Sequence, residues 1–144
     1  MVEVDSKNLP DELYYHKDHA WAKSEKDGNV RVGMHYYYSE SAGETTYVDL
    51  PFEGDEISQG ETCGKIQSAK WVGKFVSPVS GEIIQVNEEL EDDPTLINSS
   101  AYDKGWTMVV KPSDLENDLK HLLHGDEVVP WVKKALEEAE KKKG

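Results

Sequence analysis

Lys70 is the side chain in this sequence with the clearest opportunity for chemistry, because it follows a polar break between two β-type runs. The runs lie within residues 64–86, and the break between them is Gln67-Ser68-Ala69-Lys70. Alternating and β-branched residues on both sides predict a hairpin with Lys70 at or near its tip. An amine at a hairpin tip is within easy reach of a modifying enzyme. At this point an ordinary solvated turn lysine remains the alternative.

Two histidine pairs raise the question of a metal site. His16 and His19 are three residues apart, as are His121 and His124. The sequence has no cysteine pair and no His-Glu-x-x-His pattern, and the segment with His16 and His19 is predicted to be extended, so that their side chains point to opposite faces. We therefore predict no zinc or iron site. We expect His121 and His124 in the last turn of a helix, where a cation is favourable.

The remaining reactive residues do not form a self-contained catalytic set. Cys63 could be a nucleophile, but no sequence feature marks a base for it, and a small buried strand residue is the simpler prediction. The acidic residues 91–93 lack the spacing of a calcium loop and are predicted to form a solvated loop. The three tyrosines at 36–38 could form a docking face or part of the core. A carrier or binding module is favoured, while an enzyme centred on Cys63 and an unmodified scaffold protein stay as alternatives.

The bulk properties exclude several classes of partner. The 144 residues carry a formal net charge of −13, which argues against binding to nucleic acid or to an anionic membrane surface. A single cysteine fits a reducing compartment. With neither a secretory signal nor a membrane span in the sequence, we predict a cytoplasmic protein.

The elements that must position Lys70 are predominantly short strands. Strands punctuated by Gly and Pro predict a small barrel or sandwich over residues 13–112, after an N-terminal arm at 1–12. A short peripheral helix is predicted near 35–40. Residues 113–144 predict two helices on the outside of the β-body: the first begins at a capping box, Ser113 to Glu116, and stops at Gly125, and the second begins near Val128.

Short motifs along the chain, in order and spacing, resemble the glycine cleavage system H-protein family of lipoyl carrier proteins. The resemblance covers about residues 10–125 and rests on residues 13–21, Val32-Gly33, Val48-Asp49-Leu50-Pro51, Gly54-Asp55, Ser68-Ala69-Lys70, residues 77–82, Val86-Asn87, Leu96-Ile97-Asn98, Tyr102 and Gly105-Trp106. It implies a mainly β barrel-sandwich hybrid, a lipoyl-domain-like flattened barrel with short peripheral and C-terminal helices. It also implies a carrier without catalytic activity of its own.

The same resemblance makes Lys70 the site of covalent lipoic acid attachment. Ser68, Ala69 and Trp71 then flank the attachment hairpin, and Lys74 and His19 become candidate contacts of the arm. A lipoyl-lysine arm reaches on the order of 14 Å and ends in a cyclic disulfide that cycles to a dithiol. A biotin carrier is a rival within this architecture, but such domains usually have methionine on both sides of the lysine.

The cargo and the partners follow from departures from the family pattern. This chain has Ala20 and Gln67 where the family usually has glutamate, and Trp71 to Lys74 replace small and acidic residues. Fewer carboxylates and an added ammonium group disfavour a cationic aminomethyl cargo. The pattern resembles a diverged branch of lipoate-binding proteins in sulfur oxidation, which favours a sulfur cargo carried to a heterodisulfide-reductase-like complex. The alternative is an aminomethyl carrier whose partners are glycine decarboxylase, aminomethyltransferase and dihydrolipoyl dehydrogenase. Either carrier requires a lipoate ligase or another attachment enzyme.

Overall fold

The fold was established from a computed structural model, which describes residues 9, 13–16, 19–25, 27–35, 44–68 and 72–143. Its strands are β1 (Tyr14–Tyr15), β2 (Ala20–Ser24), β3 (Val30–Met34), β4 (Thr45–Asp49), β5 (Glu56–Ile57), β6 (Thr62–Ser68), β7 (Val72–Val76), β8 (Gly81–Val86) and β9 (Met108–Pro112). Its helices are α1 (Glu89–Asp92), α2 (Leu96–Ser99), α3 (Leu115–Leu119) and α4 (Val128–Lys143), with a 3-10 turn at Gly125–Glu127.

These strands form two antiparallel sheets. The larger has six strands in the order β1-β2-β3-β9-β8-β5, and the smaller has three in the order β4-β6-β7. The loop between β7 and β8 carries the chain from the smaller sheet to the larger one. The predicted hairpin is therefore the β6–β7 pair within the smaller sheet.

The two sheets pack against each other across one hydrophobic core. Val48, Ile66 and Phe75 from the smaller sheet share this cluster with Val32 and Met108 from the larger sheet. Side chains from both inner faces filling one core define a sandwich. The mainly β barrel-sandwich prediction is confirmed.

A second cluster covers the outer face of the larger sheet. In β2, Ala20 and Ala22 belong to the first core, whereas Trp21 points to the opposite side and packs with Val128 and Val132 of α4. This alternation is what a strand with two buried faces requires. Leu9, from the predicted N-terminal arm, is buried in the same cluster. Helix α4 thus packs on the outside of the β-body.

Gly33 allows the Trp21 ring to lie flat against β3. The two residues are opposite each other in the β2–β3 pair. A Cβ at position 33 would lie 2.6 Å from ring atoms of Trp21, well inside van der Waals contact. The Trp21 indole N–H donates to Ala101 O at 3.0 Å, so this buried ring has its polar atom satisfied.

The predicted first C-terminal helix is shorter than expected and lacks the predicted cap. Helix α3 begins after Asp114, which makes no side-chain cap hydrogen bond, so the capping box from Ser113 to Glu116 is wrong. The helix ends at Leu119 because Leu123 instead forms a β-bridge with Tyr15, with a 2.8 Å backbone hydrogen bond in each direction. His121 and His124 therefore lie after the helix rather than in its last turn.

Two further sequence predictions meet the structure differently. The acidic segment at 91–93, expected as a loop, includes the end of the single turn α1, whose Leu90 is buried in the first core. Of the predicted helix at 35–40, the structure describes only His35. The tyrosine triplet at 36–38 lies outside the described residues. Within the described residues, no helix is long and apolar enough to cross a membrane.

Candidate functional site

The β6–β7 pair brings the two ends of the Lys70 connection side by side. Gln67 lies opposite Val72 in the antiparallel register, and residues 69–71 connect the two strands. Ala69, Lys70 and Trp71 lie outside the described residues. The structure therefore confirms the strand pair on either side of the predicted tip, while the role of Lys70 stays a prediction.

Hydrogen bonds hold the β6 end of this connection against its neighbours. Ser68, the last residue of β6, is buried and lies opposite Thr45. The Thr45 N–H donates to Asn98 Oδ1 at 2.8 Å. The Thr46 hydroxyl donates to Gln67 O at 3.1 Å. The buried position of Ser68 anchors the chain directly before the connection, while its role beside the cofactor stays a prediction.

The outer face of the smaller sheet carries two rows of exposed side chains, which we call the sheet face. The row beside the connection is Tyr47, Gln67 and Val72, and the second row is Asp49, Lys65 and Lys74. Tyr47 and Val72 are 56% and 57% exposed, which is high for such apolar side chains. The predicted arm contact Lys74 lies here, with its side chain in solvent.

Hydrogen bonds hold the loop after β7 in place. The Ser77 hydroxyl donates to Val79 O at 2.6 Å, and Ser77 itself is fully buried. The Ser80 N–H donates to the buried carboxylate of Asp118 at 2.7 Å, and the Ser80 hydroxyl oxygen accepts from the Gln59 N–H at 2.8 Å. These contacts fix where the chain leaves the hairpin and enters the larger sheet.

His19 takes part in an aromatic cluster, and the extended conformation predicted for it is wrong. The His19 N–H donates to His16 O at 2.8 Å, and His19 has φ of 77°, so the chain turns here. Its Nδ1 lies 2.9 Å from His35 Nε2, and its ring stacks on Trp131 with centroids 5.4 Å apart. Contact between His19 and the arm remains a prediction. No group of three potential metal ligands occurs among the described side chains.

His35 is expected to make the protein sensitive to acid. It is fully buried, and burial, followed by the charge of His19, places its pKa well below 6.5. The unfolded chain therefore takes up a proton that the folded state resists. The free energy of unfolding should hold above about pH 7 and fall below pH 6.5, by up to about 1.4 kcal/mol per pH unit from this residue. Urea unfolding between pH 5 and pH 8 measures this slope.

The histidine variant His35→Gln provides the check on that slope. It should reduce the acid slope even if it also lowers stability at every pH, because the titrating group is gone. His121→Gln, at an exposed position after α3, is the matched control. An unchanged acid slope in His35→Gln would contradict the assignment.

Cys63 is partly buried, and its thiol is poorly suited to nucleophilic chemistry. Burial and the nearby charge of Glu61 raise its pKa from 9.0 to about 12. Its S–H donates to Phe75 O at 3.5 Å. Because the thiolate is the nucleophile, a thiol with this pKa is almost entirely unreactive near neutrality. The geometry speaks against an enzyme centred on this residue.

Alkylation kinetics should show this protection directly. At pH 8 the thiolate fraction falls by about 10³-fold when the pKa rises from 9 to 12. Iodoacetamide should therefore modify Cys63 in the folded protein about 10³-fold more slowly than in the urea-unfolded chain. Equal rates in the two states, followed by mass spectrometry, would contradict the buried, protonated thiol.

Sequence reasoning missed three contributors to this region. Tyr47 and Val72 lie in one row although they are 25 positions apart in sequence, and Trp131 reaches His19 from α4. Tyr47 and Val72 could not be placed together from the sequence, because the pairing of β4 with β6 was not known. Trp131 falls in the predicted second C-terminal helix, but the sequence gave no partner for its side chain.

Two packed antiparallel sheets, with a lysine between paired strands of the smaller one, define a barrel-sandwich carrier of the lipoyl type. Residues 13–135 match the glycine cleavage H-protein family. A probable glycine cleavage system H protein of Pyrococcus horikoshii is 41% identical over 133 residues, 92% of this chain and 98% of that protein. A glycine cleavage system H protein of Halalkalibacterium halodurans is 42% identical over 120 residues, 83% of this chain and 92% of that protein. The crystal structure of such a protein from Mycobacterium marinum superposes with a TM-score of 0.69 at 36% identity, covering 73% of this chain and 87% of that one.

The chain belongs to the glycine cleavage H-protein family. Proteins of this family are non-catalytic carriers that hold lipoate covalently on a lysine, so the cofactor is lipoate and the chain is a lipoyl carrier rather than an enzyme. The described residues fit that cofactor, because both strands approach the connection with exposed side chains at Gln67 and Val72. The comparisons do not support the sulfur cargo that the sequence favoured, and they support its aminomethyl alternative better.

Proposed function

We propose that this protein carries lipoate on Lys70 and transports an aminomethyl group from glycine decarboxylase to aminomethyltransferase, with dihydrolipoyl dehydrogenase reoxidising the arm. The observation that carries the proposal is the β6–β7 register, in which Gln67 and Val72 close around a connection containing one lysine. The family membership supports both the cofactor and the partners. When bound, lipoate supplies a disulfide that opens to two thiols, one of which holds the cargo.

In this function the polypeptide presents one lysine amine on a hairpin whose two ends are held in fixed positions. Asn98, Thr45 and Ser68 hold the β6 end, and Ser77 with Ser80 hold the exit from β7. A fixed base lets the tether set the volume that the arm explores, which keeps the cargo at a high effective concentration near a docked enzyme. A loose base would enlarge that volume and dilute the cargo.

The charges on the sheet face do not exclude a cationic cargo. The sequence favoured sulfur because of Ala20, Gln67 and residues 71–74, and of these Gln67 and Lys74 lie exposed to water on the sheet face. Two unit charges 10 Å apart in water repel by about 0.4 kcal/mol, which changes an equilibrium constant by about two-fold. Asp49 stands in the same row as Lys65 and Lys74 and offsets part of even this effect. Substitutions at solvated positions therefore carry little weight about the cargo.

Reconstitution tests the proposal in two stages. The purified protein is first incubated with a lipoate ligase, lipoate and ATP, and the modified residue is mapped by mass spectrometry. The loaded protein is then combined with glycine decarboxylase and aminomethyltransferase, and glycine-dependent turnover is measured. Modification at Lys70 with robust turnover supports the proposal. If the protein is loaded at Lys70 and gives no glycine turnover, but is active in a heterodisulfide-reductase-like system, the aminomethyl assignment is wrong and the cargo is sulfur.

A further inference from the structure

We propose that the sheet face is the surface on which the lipoate-attaching ligase docks. This inference rests on the proposed attachment at Lys70 and assigns the partner that must approach that site most closely. The row Tyr47, Gln67 and Val72 forms its centre, and the row Asp49, Lys65 and Lys74 forms its charged margin.

The covalent chain limits how far Lys70 can be from this face. Two peptide units separate the Cα atoms of residues 70 and 72, which places them within about 7 Å of each other. The lysine amine extends about 6 Å from its own Cα. Paired strands are about 5 Å apart, so the Gln67 backbone lies one strand spacing from Val72 and the Tyr47 backbone lies two. An enzyme that closes around the amine must therefore cover much of the first row.

This constraint applies to the ligase more strictly than to the enzymes that use the loaded arm. The ligase reacts at the amine itself, whereas later partners meet the far end of an arm about 14 Å long. They can dock at a distance from the hairpin. Among the proposed partners, the ligase is the one that the geometry assigns to this face.

The side chains of the first row suit the centre of a protein interface. Tyr47 and Val72 are more than half exposed, side by side with Gln67 between them. Interface centres favour aromatic and apolar groups without net charge, and tyrosine is a common anchor. β4 and β7 are the outer strands of the smaller sheet, so the face is bounded by strand edges.

The charge of the second row indicates the chemistry of the partner surface. It combines one carboxylate, Asp49, with two ammonium groups, Lys65 and Lys74, in a chain whose formal net charge is −13. This locally basic margin would pair with carboxylates on the ligase while the rest of the protein repels them. Such complementarity orients an encounter more than it strengthens it.

The reaction at this interface is an acyl transfer that balances with ATP as the co-reactant. The lipoate carboxylate first attacks the α-phosphorus of ATP, which forms an acyl adenylate and breaks the α–β phosphoanhydride bond, so that pyrophosphate leaves. The Lys70 nitrogen attacks the acyl carbonyl, the C–N amide bond forms and the bond to AMP breaks. The amine loses a proton, and AMP leaves with the electron pair.

Ligation kinetics on matched variants test the docking surface. Tyr47→Ser and Val72→Ser, singly and together, should each lower kcat/KM for ligation, the pair by about ten-fold or more, with most of the change in KM. Phe52→Ser and Ile84→Ser are the controls, since these side chains are 76% and 38% exposed and lie off the sheet face. They should ligate at the wild-type rate. Thermal unfolding of all five variants checks that they stay folded.

Charge reversal supplies an independent measurement on the second row. Lys65→Glu and Lys74→Glu should slow ligation by a few-fold at low salt, and the difference should shrink as salt rises. Lys111→Glu, an exposed lysine on β9 of the larger sheet, is the control with the same charge change. An equal slowing by Lys111→Glu would show a net-charge effect and contradict docking on this face.

The outcomes separate this inference from the proposed function. Wild-type protein that is not modified at Lys70 would overturn the proposed function. Wild-type modification with undiminished ligation of the Tyr47 and Val72 variants would overturn the docking surface alone. If those variants ligate normally but, once loaded, lose glycine-dependent turnover, the face belongs to a downstream enzyme, and the assignment to the ligase is wrong.

Discussion

Replacing Lys70 with arginine should abolish lipoate loading and reduce glycine-dependent turnover to the level seen without a carrier. Arginine keeps the positive charge and the length of the side chain, but its guanidinium stays protonated and offers no nucleophilic nitrogen near neutral pH. The loss would therefore report attachment chemistry rather than electrostatics. Intact-mass measurement after incubation with ligase, lipoate and ATP detects the missing adduct.

Two exposed lysines away from the hairpin provide the controls for this variant. Lys104→Arg and Lys111→Arg should load to completion, since neither lies in the β6–β7 connection. In urea unfolding, Lys70→Arg should have the same free energy of unfolding as the wild type, because position 70 is predicted to lie in a surface turn, where substitutions change stability little. A fully loaded Lys70→Arg protein would show that another amine is the attachment site.

Local sequence patterns predicted the strands well because each strand alternates according to its own two environments. In β2, alanines and a tryptophan alternate, and the structure buries Ala20 and Ala22 on one side and Trp21 on the other. What the pattern could not provide was the pairing. β3 pairs with β9 although Val32 and Met108 are 76 positions apart, and such long-range choices depend on the whole core.

The C-terminal region shows where local signals lost to tertiary contacts. Leu115, Leu119 and Leu122 have helical spacing, which predicted one helix as far as Gly125. The structure ends the helix at Leu119, and Leu123 pairs with Tyr15 instead. The backbone hydrogen bonds of that bridge and the burial of Leu122 in the first core outweigh one more helical turn.

The site was only partly predictable, because the sequence shows local signals but not long-range strand pairing. The polar break around Lys70 marked the connection, because a change of strand direction leaves a local signature. The sheet face around it did not, because Tyr47 reaches Gln67 only through the β4–β6 register. The sulfur cargo, which the comparisons do not support, was inferred in part from Gln67 and Lys74, and both side chains are exposed, so water weakens their charge effects.

The two phenylalanines of the chain should respond to truncation in opposite ways. Phe75 on β7 is fully buried in the core between the sheets, whereas Phe52, in the segment after β4, is 76% exposed. Phe75→Ala removes a buried ring and leaves a cavity, so the free energy of unfolding should fall by about 3–5 kcal/mol. Phe52→Ala should change it by less than about 0.5 kcal/mol. Urea unfolding of both variants gives the comparison.

The functional consequence of Phe75→Ala follows from where the ring sits. It lies on the strand that leads away from the Lys70 connection, three residues after Val72, and belongs to the same core cluster as Ile66 of β6 and Val48 of β4. Losing it should loosen the hairpin base together with the core, so ligation should decline with the folded fraction as urea is added. Phe52→Ala should follow the wild-type curve. Similar stability losses in both variants would contradict the placement of Phe75 in the core and, with it, the packing that holds the attachment hairpin.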